Sequence, residues 1–470
     1  MKKYDISQIL LWLCFVIGAA SAQETRLYSG VIQIPVMGPM EMTLGISETD
    51  AGTFLLLTVP NQGAKDIPLR ATYKQDGSLS AELPQAELQF IVFENAELTL
   101  LTGTMIQGLE FEIEFERVTT HKEMVRPQLP EAPFPYIEYE VTAQHPEGHV
   151  LQGTLTIPEG RGPFPCAILI SGSGMQDRDE SLMGHKPFLV IADYLSRNGI
   201  AVLRYDDRGI GGSVMENIED ITGDTSEDFA TDASVMVHAA RIHPEIDERR
   251  VGVIGHSEGG LIGPMVAIGD PKLAFVIMLA GPGVAGFELL PVQQALILHV
   301  SGVDDELIER VINASMSFYE LMQANASDEE LIEQMTELIT VQLLAHEIEV
   351  SEELFEQEVE EGISQMTSPW MRFFLYYDPT IALAQVTCPV LALNGTKDLQ
   401  VDANQNLSAI EAVKSSTGND ITVIELEGLN HLFQPATTGS IAEYAQIEIT
   451  FDYDTLVLMG NWISEVTDAE

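Results

Sequence analysis

The chain is short of cysteine, of basic residues and of long apolar runs, and each shortage excludes something. Of three cysteines in 470 residues, Cys14 falls in an amino-terminal apolar run, which leaves Cys166 and Cys388 for the folded part. Each stands where a short apolar segment begins that reads as a buried strand. Strands that are not neighbours hold their Cα atoms too far apart to bridge, so both read as small apolar core residues. Neither has a partner histidine at motif spacing, and no cluster carries the spacing of a zinc site. Lysine and arginine number 23 against 72 acids, a net charge of −49. Such a surface repels nucleic acid and anionic bilayers and excludes both as partners. Eighteen of the acids lie between Asp304 and Glu361, where Arg310 is the single base; the run reads as a solvated face. Beyond residue 22 no apolar stretch is long enough to span a bilayer.

What is present begins with Lys2 and Lys3, an apolar run from Ile9 to Ile17, and Ala20-Ser21-Ala22 before Gln23. A positive start, a short apolar run and a small-residue exit predict a secretory signal peptide over 1–22, with export to the periplasm or the medium. An uncleaved anchor helix is the competing reading. Residues 23–125 read as a β-rich accessory domain: runs such as Leu27–Val36, Phe54–Val59 and Phe111–Val118 are separated by turns such as Asp76-Gly77. Four prolines between Arg126 and Pro135 forbid helix and ladder alike and read as a linker.

From Tyr136 the pattern changes. A hairpin (Tyr136–Thr142, Val150–Ile157) leads into short apolar strands at Cys166–Ile170, Ala201–Tyr205, Val251–Ile254, Phe275–Leu279, Val390–Leu393 and Ile421–Leu426. Helical patterns such as Phe188–Arg197 and Glu227–His243 alternate with them. That alternation predicts an α/β domain over 126–470 with a mostly parallel sheet. The stretch of about 285–368 has helical periodicity throughout and reads as a helical lid inserted over the strand ends.

Chemistry concentrates where strands end. Gly255-His256-Ser257-Glu258-Gly259 matches G-x-S-x-G between an apolar strand and a helix-like segment. That context makes Ser257 a nucleophile on a sharp strand-to-helix turn, with the amide of Glu258 aimed at a developing oxyanion. His256 reads as structural. A serine nucleophile needs a base and the base an orienting acid. Asp398 follows the strand Val390–Leu393 past a glycine turn and is the candidate acid, with Asp402 the runner-up. His431 follows Ile421–Leu426 and is the candidate base; His299 and His346 read as surface residues of the insertion. The second oxyanion donor is expected in Ser171-Gly172-Ser173-Gly174, at the amide of Ser173. The charged Arg204–Gly209 stretch reads as a structural ion-pair network.

At these positions the sequence resembles the α/β-hydrolase superfamily and, more narrowly, bacterial esterases of the EstD type. The segments that carry the likeness are Ser171–Gly174 through Glu180, Tyr205–Gly209, Gly255–Gly260, Ser368-Pro369-Trp370, Asn394–Val401 and Leu429–Gln434. Met175 departs from it, standing where proline is expected. The resemblance implies hydrolysis of short-chain carboxylic esters without a cofactor, and small-molecule esters as partners. Serine aminopeptidase-like hydrolases form the wider group, so peptidase activity stays open, as does association into a homo-oligomer. A surface-binding module carrying the hydrolase is a further reading, yet residues 23–125 offer no exposed aromatic platform for a glycan.

Overall fold

The computed structural model describes residues 25–468 except 35–37, 50–51, 61–63, 87, 121–124 and 216–217; the expected signal peptide lies outside them. The amino-terminal strands alternate inward bulk with outward charge. In Leu109–Val118, Ile113 and Phe115 are buried while Glu110, Glu112, Glu114 and Glu116 are exposed. Eight such strands pair each with the next, antiparallel: β1 (Arg26–Ile34), β2 (Gly38–Thr49), β3 (Gly52–Val59), β4 (Ala64–Tyr73), β5 (Leu79–Leu83), β6 (Leu88–Glu94), β7 (Leu100–Gln107) and β8 (Leu109–Val118). β1 also pairs with β8, Leu27 opposite Val118, so the sheet closes into a barrel and has no free edge. Side chains fill it, among them Tyr28, Leu44, Phe90 and Phe115. A Cβ at Gly30 would run into the Phe115 ring.

The proline-rich stretch after the barrel is not a free linker. Residues 125–135 lack regular structure but are pinned to the α/β part of the chain. The Arg126 guanidinium donates to the carbonyls of Met183, Ala445 and Ile447, and the Gln128 side chain bonds the main chain of Phe451.

The second sheet contains β9 (Tyr136–Gln144), β10 (Val150–Pro158), β11 (Phe164–Ile170), β12 (Ala201–Tyr205), β13 (Ile246–His256), β14 (Val276–Leu279), β15 (Val390–Gly395) and β16 (Ile421–Leu426). Its order is β9-β10-β12-β11-β13-β14-β15-β16. β10 runs antiparallel to β9 and β12, and the remaining neighbours are parallel. The helices are α1 (Pro187–Arg197), α2 (Ser226–Arg241), α3 (Glu258–Gly269), α4 (Gly286–Val300), α5 (Asp305–Gln323), α6 (Asp328–Ala345), α7 (Glu352–Met366), α8 (Pro369–Tyr376), α9 (Pro379–Leu383), α10 (Ala403–Thr417), α11 (Ile441–Tyr444) and α12 (Tyr453–Asp468).

Successive strand residues feed two cores. Cys166, Ile168 and Ile170 pack with α2 and α3, whereas Ala167 and Leu169 pack with α1 and α12. Burial on both faces is why these strands read as unbroken apolar runs. β13 is longer than its apolar signal because its first half, around Glu248 and Arg249, is solvent-facing. Both cysteines are free, and β13 and β14 separate their strands. Cys166 is a core residue; Cys388, two residues before β15, is half-buried and packs against the same core.

Helices α4 to α8 are inserted between β14 and β15 and share a core of their own, with Val311, Phe318, Met335 and Val341 at its centre. The acidic run occupies their outer faces: Glu309, Glu320, Glu333 and Glu337 are all exposed.

Candidate active site

β13 ends at His256 and α3 begins at Glu258, so Ser257 alone makes the turn. It does so at φ 52°, ψ −118°, a left-handed conformation that a non-glycine residue adopts only under constraint. Two contacts impose it. The Ser257 amide donates to the Leu279 carbonyl at 2.8 Å, and the Gly260 amide donates back to the Ser257 carbonyl at 2.8 Å. The flanking glycines are demanded by close approach: a Cβ on Gly255 would overlap the Gly259 carbonyl, and one on Gly259 would overlap that of Ile170. Ser257 is left half-exposed at the carboxyl end of the sheet.

Asp398 lies three residues past β15 and His431 five past β16, at the same end of the sheet. Their loops are tied together, since the Lys397 amide donates to the Leu429 carbonyl at 2.9 Å and the Gly428 amide to the Thr396 hydroxyl at 2.8 Å. His431 Nδ1 sits 2.8 Å from Asp398 Oδ2. The other carboxylate oxygen accepts the amides of Gln400 at 2.8 Å and Val401 at 2.9 Å. A carboxylate can only accept, so Nδ1 carries the proton and Nε2 is left as a base. Both side chains are buried. Asp402, the alternative acid, instead caps α10 by accepting the Gln405 amide. His299 is an exposed residue at the end of α4, and His346 ends α6.

The loop after β11 crosses directly over the serine. A Cβ on Gly172 would lie 3.1 Å from that of Ser257. The Gly172 amide donates to Glu180 Oε1 at 2.9 Å. The amides of Ser173 and of Glu258, the first residue of α3, donate to nothing among the described residues. Beneath the loop, half-buried Asp207 accepts the Ser171 hydroxyl and the Gln176 amide, each at 2.8 Å. Burial pushes the Asp207 carboxyl up to about 8. The neighbouring arginines form the expected network: Arg178 pairs with Asp206 at 2.8 Å, Arg204 with Asp179, and Arg208 with Asp232 at 2.6 Å.

Three groups at the site escape the motif reading. Glu180, at φ 52°, accepts from Gly172 and also faces His256 Nδ1 at 2.9 Å. His256 in turn donates from Nε2 to the His431 carbonyl at 2.9 Å, so the residue before the serine braces the candidate base. The third is the Glu258 side chain. It is buried beside α3 and accepts the Ser226 hydroxyl at 2.6 Å and the Trp370 indole N–H at 2.8 Å. Burial raises its pKa; bonds from Ser226, Trp370 and Ser173 pull the other way. Trp370 belongs to α8, so the insertion reaches the turn that carries Ser257.

A family profile described as serine aminopeptidase, S33, matches residues 186–434, just over half the chain, and spans Ser257, Asp398 and His431. The chain belongs to that family. Its second sheet and covering helices have the α/β-hydrolase fold. Esterase EstD of Thermotoga maritima is 26% identical over 284 residues, 60% of this chain and 58% of that protein. Esterase FrsA of Klebsiella pneumoniae is 27% identical over 156 residues, 32% of this chain and 33% of its own length. The chain thus matches less than two thirds of either relative. A solved structure of a Pyrococcus furiosus esterase aligns over 74% of this chain and 98% of its own at 14% identity, with a TM-score of 0.42.

Proposed function

We propose that this family member is a serine hydrolase that cleaves short-chain carboxylic esters through an acyl-enzyme on Ser257. The reading rests above all on the His431–Asp398 pair, held at 2.8 Å at the same sheet end as a serine on a left-handed turn. His431 Nε2 takes the Ser257 proton as Oγ attacks the ester carbonyl carbon. The amides of Ser173 and Glu258 hold the resulting oxyanion. The intermediate collapses, the carbon–alkoxy bond breaks, and His431 gives its proton to the departing alcohol. Water then attacks the acyl-enzyme with His431 again as base, releasing the acid and restoring Ser257. Asp398 keeps the imidazole in the productive tautomer throughout. No step needs a cofactor. In this reading α4 to α7 act as a lid, and residues 1–22 export the protein.

The family description favours a second reading, an aminopeptidase whose acid-rich insertion receives a cationic amino terminus. One set of assays separates the two. The protein is treated with a fluorophosphonate and the adduct located by mass spectrometry, then acetyl and butyryl esters are compared with aminoacyl anilides. Labelling at Ser257 and faster ester turnover are expected, with Ser257→Ala lowering turnover by at least roughly ten-thousandfold. Faster anilide turnover would replace the ester reading by the peptidase one. An active Ser257→Ala variant would end both.

A further inference from the structure

The turn of the β9–β10 hairpin gathers two imidazoles and a carboxylate that the site around Ser257 does not use. His145 and His149 face each other across the hairpin, the His145 amide donating to the His149 carbonyl at 2.9 Å. They flank the turn, one residue past β9 and one before β10, and both rings turn toward α2. His149 Nε2 lies 2.7 Å from Asp232 Oδ1, whose partner oxygen is paired with Arg208 at 2.6 Å. A carboxylate accepts, so Nε2 of His149 carries the proton. His145 Nε2 lies 2.9 Å from the Thr231 hydroxyl, which gives its own proton to the Asp228 carbonyl at 2.7 Å. That hydroxyl must therefore accept, and Nε2 of His145 donates as well. Both neutral rings are thus left with unprotonated Nδ1 atoms.

Glu147 sits between them in sequence, at the tip of the turn. Its carboxylate comes to 3.7 Å from His145 Nδ1. One ligand atom from each of His145, Glu147 and His149 lies within 4.8 Å of the others, with the imidazoles buried and the carboxylate open to solvent. The rings stack at 4.1 Å with 16° between their planes, and the Glu147 amide points at His145 Nδ1 from 3.2 Å. That amide occupies the Nδ1 lone pair an ion would take.

We propose that His145, Glu147 and His149 bind a divalent transition-metal ion, Zn²⁺ foremost, with Asp232 and Thr231 orienting the two imidazoles. Two nitrogen donors and one carboxylate suit Zn²⁺ or Co²⁺ and disfavour Mg²⁺ and Ca²⁺, which take oxygen ligands. An imidazole that donates its far N–H to a carboxylate is the usual outer shell of a bound histidine. Spacing along the sequence does not reveal the site, because hairpin pairing and α2 assemble it. The bound ion fastens the hairpin tip to the helix that also holds Arg208.

The test uses the full chain stripped with EDTA. Calorimetric titration with Zn²⁺ is expected to show one ion per chain with micromolar or tighter binding and a raised Tm, while Mg²⁺ does nothing. Co²⁺ should give visible d–d bands of mixed nitrogen and oxygen coordination. Glu147→Gln, at an exposed position, should weaken Zn²⁺ at least roughly tenfold, and His149→Gln should weaken it further. No Zn²⁺ binding in the micromolar range would overturn the proposal. So would native-like binding in both variants, since the ion would then sit elsewhere.

Discussion

A histidine whose two nitrogens both face oxygen acceptors needs one more proton than a neutral ring provides. His256 is in that position, between the His431 carbonyl and the Glu180 carboxyl. Burial opposes a charged ring most strongly, but Glu180, the His431 carbonyl and Asp398 together outweigh it and hold His256 above its ordinary value. Glu180 also holds the Gly172 amide, so one carboxyl positions both the loop over Ser257 and, through His256, the main chain of the candidate base. Glu180→Gln keeps the shape and removes the charge that shares the proton. In an ester assay it should lower kcat by about tenfold to a hundredfold, as displacements near 1 Å do, with KM little changed. The low-pH limb of the kcat profile should also move, which loss of packing alone would not cause. An unchanged kcat and profile would reduce Glu180 to a structural brace. Nothing in the sequence around Glu180 announces this role. Ser257, Asp398 and His431 were legible because each ends an apolar strand; Glu180 and His256 meet only when two separate strand ends are brought together.

Elements show the same division. The parallel strands and α1, α2 and the insertion were readable from periodicity, since their apolar spacing follows the two buried sheet faces and the insertion's own core. Closure of the barrel was not, because the pairing of β1 with β8 joins residues about ninety apart and leaves no local signal. Ties between elements were equally hidden, and two can be tested. Trp370 from α8 gives its indole N–H to Glu258 on α3. Trp370→Phe leaves that buried carboxyl short of a donor and should cost about 1–3 kcal/mol in urea unfolding. A change within error would show that a water replaces the indole. The second tie is Asp207 under the loop from Ser171 to Gln176. Its folded pKa, about 8, lies above the ordinary 3.8, so the folded state binds the proton more tightly than the unfolded chain. Its penalty is therefore absent below the lower value, grows as pH rises between the two, and is complete above the upper one. Asp207→Asn should flatten the decline of Tm from about pH 5 to about pH 8, and an unaltered slope would place the decline in other groups.

At the scale of the whole molecule, charge is the dominant feature. Seventy-two acids against 23 bases leave −49 on one chain, and exposed glutamates line the outer faces of α5 and α6. Self-repulsion of that size opposes compaction. Isolated exposed pairs such as Lys414–Glu411 cannot offset it, because surface ion pairs are worth little. Raising ionic strength from about 0.01 M to about 0.15 M shortens the screening length from roughly 30 Å to roughly 8 Å, which removes repulsion across the helical insertion while sparing contacts within it. Tm should therefore rise by a few °C or more over that range, alike for NaCl and KCl. Replacing exposed Glu309, Glu333 and Glu337 by glutamine should raise Tm at low salt and shrink the salt response, since none of the three caps a helix or has a described ion-pair partner. A Tm that stays flat or falls with salt would mean that solvent-exposed attractive pairs, such as Arg178 with Glu140 and Lys186 with Asp179, outweigh the net charge, and the acid-rich face would then need a reason other than solvation.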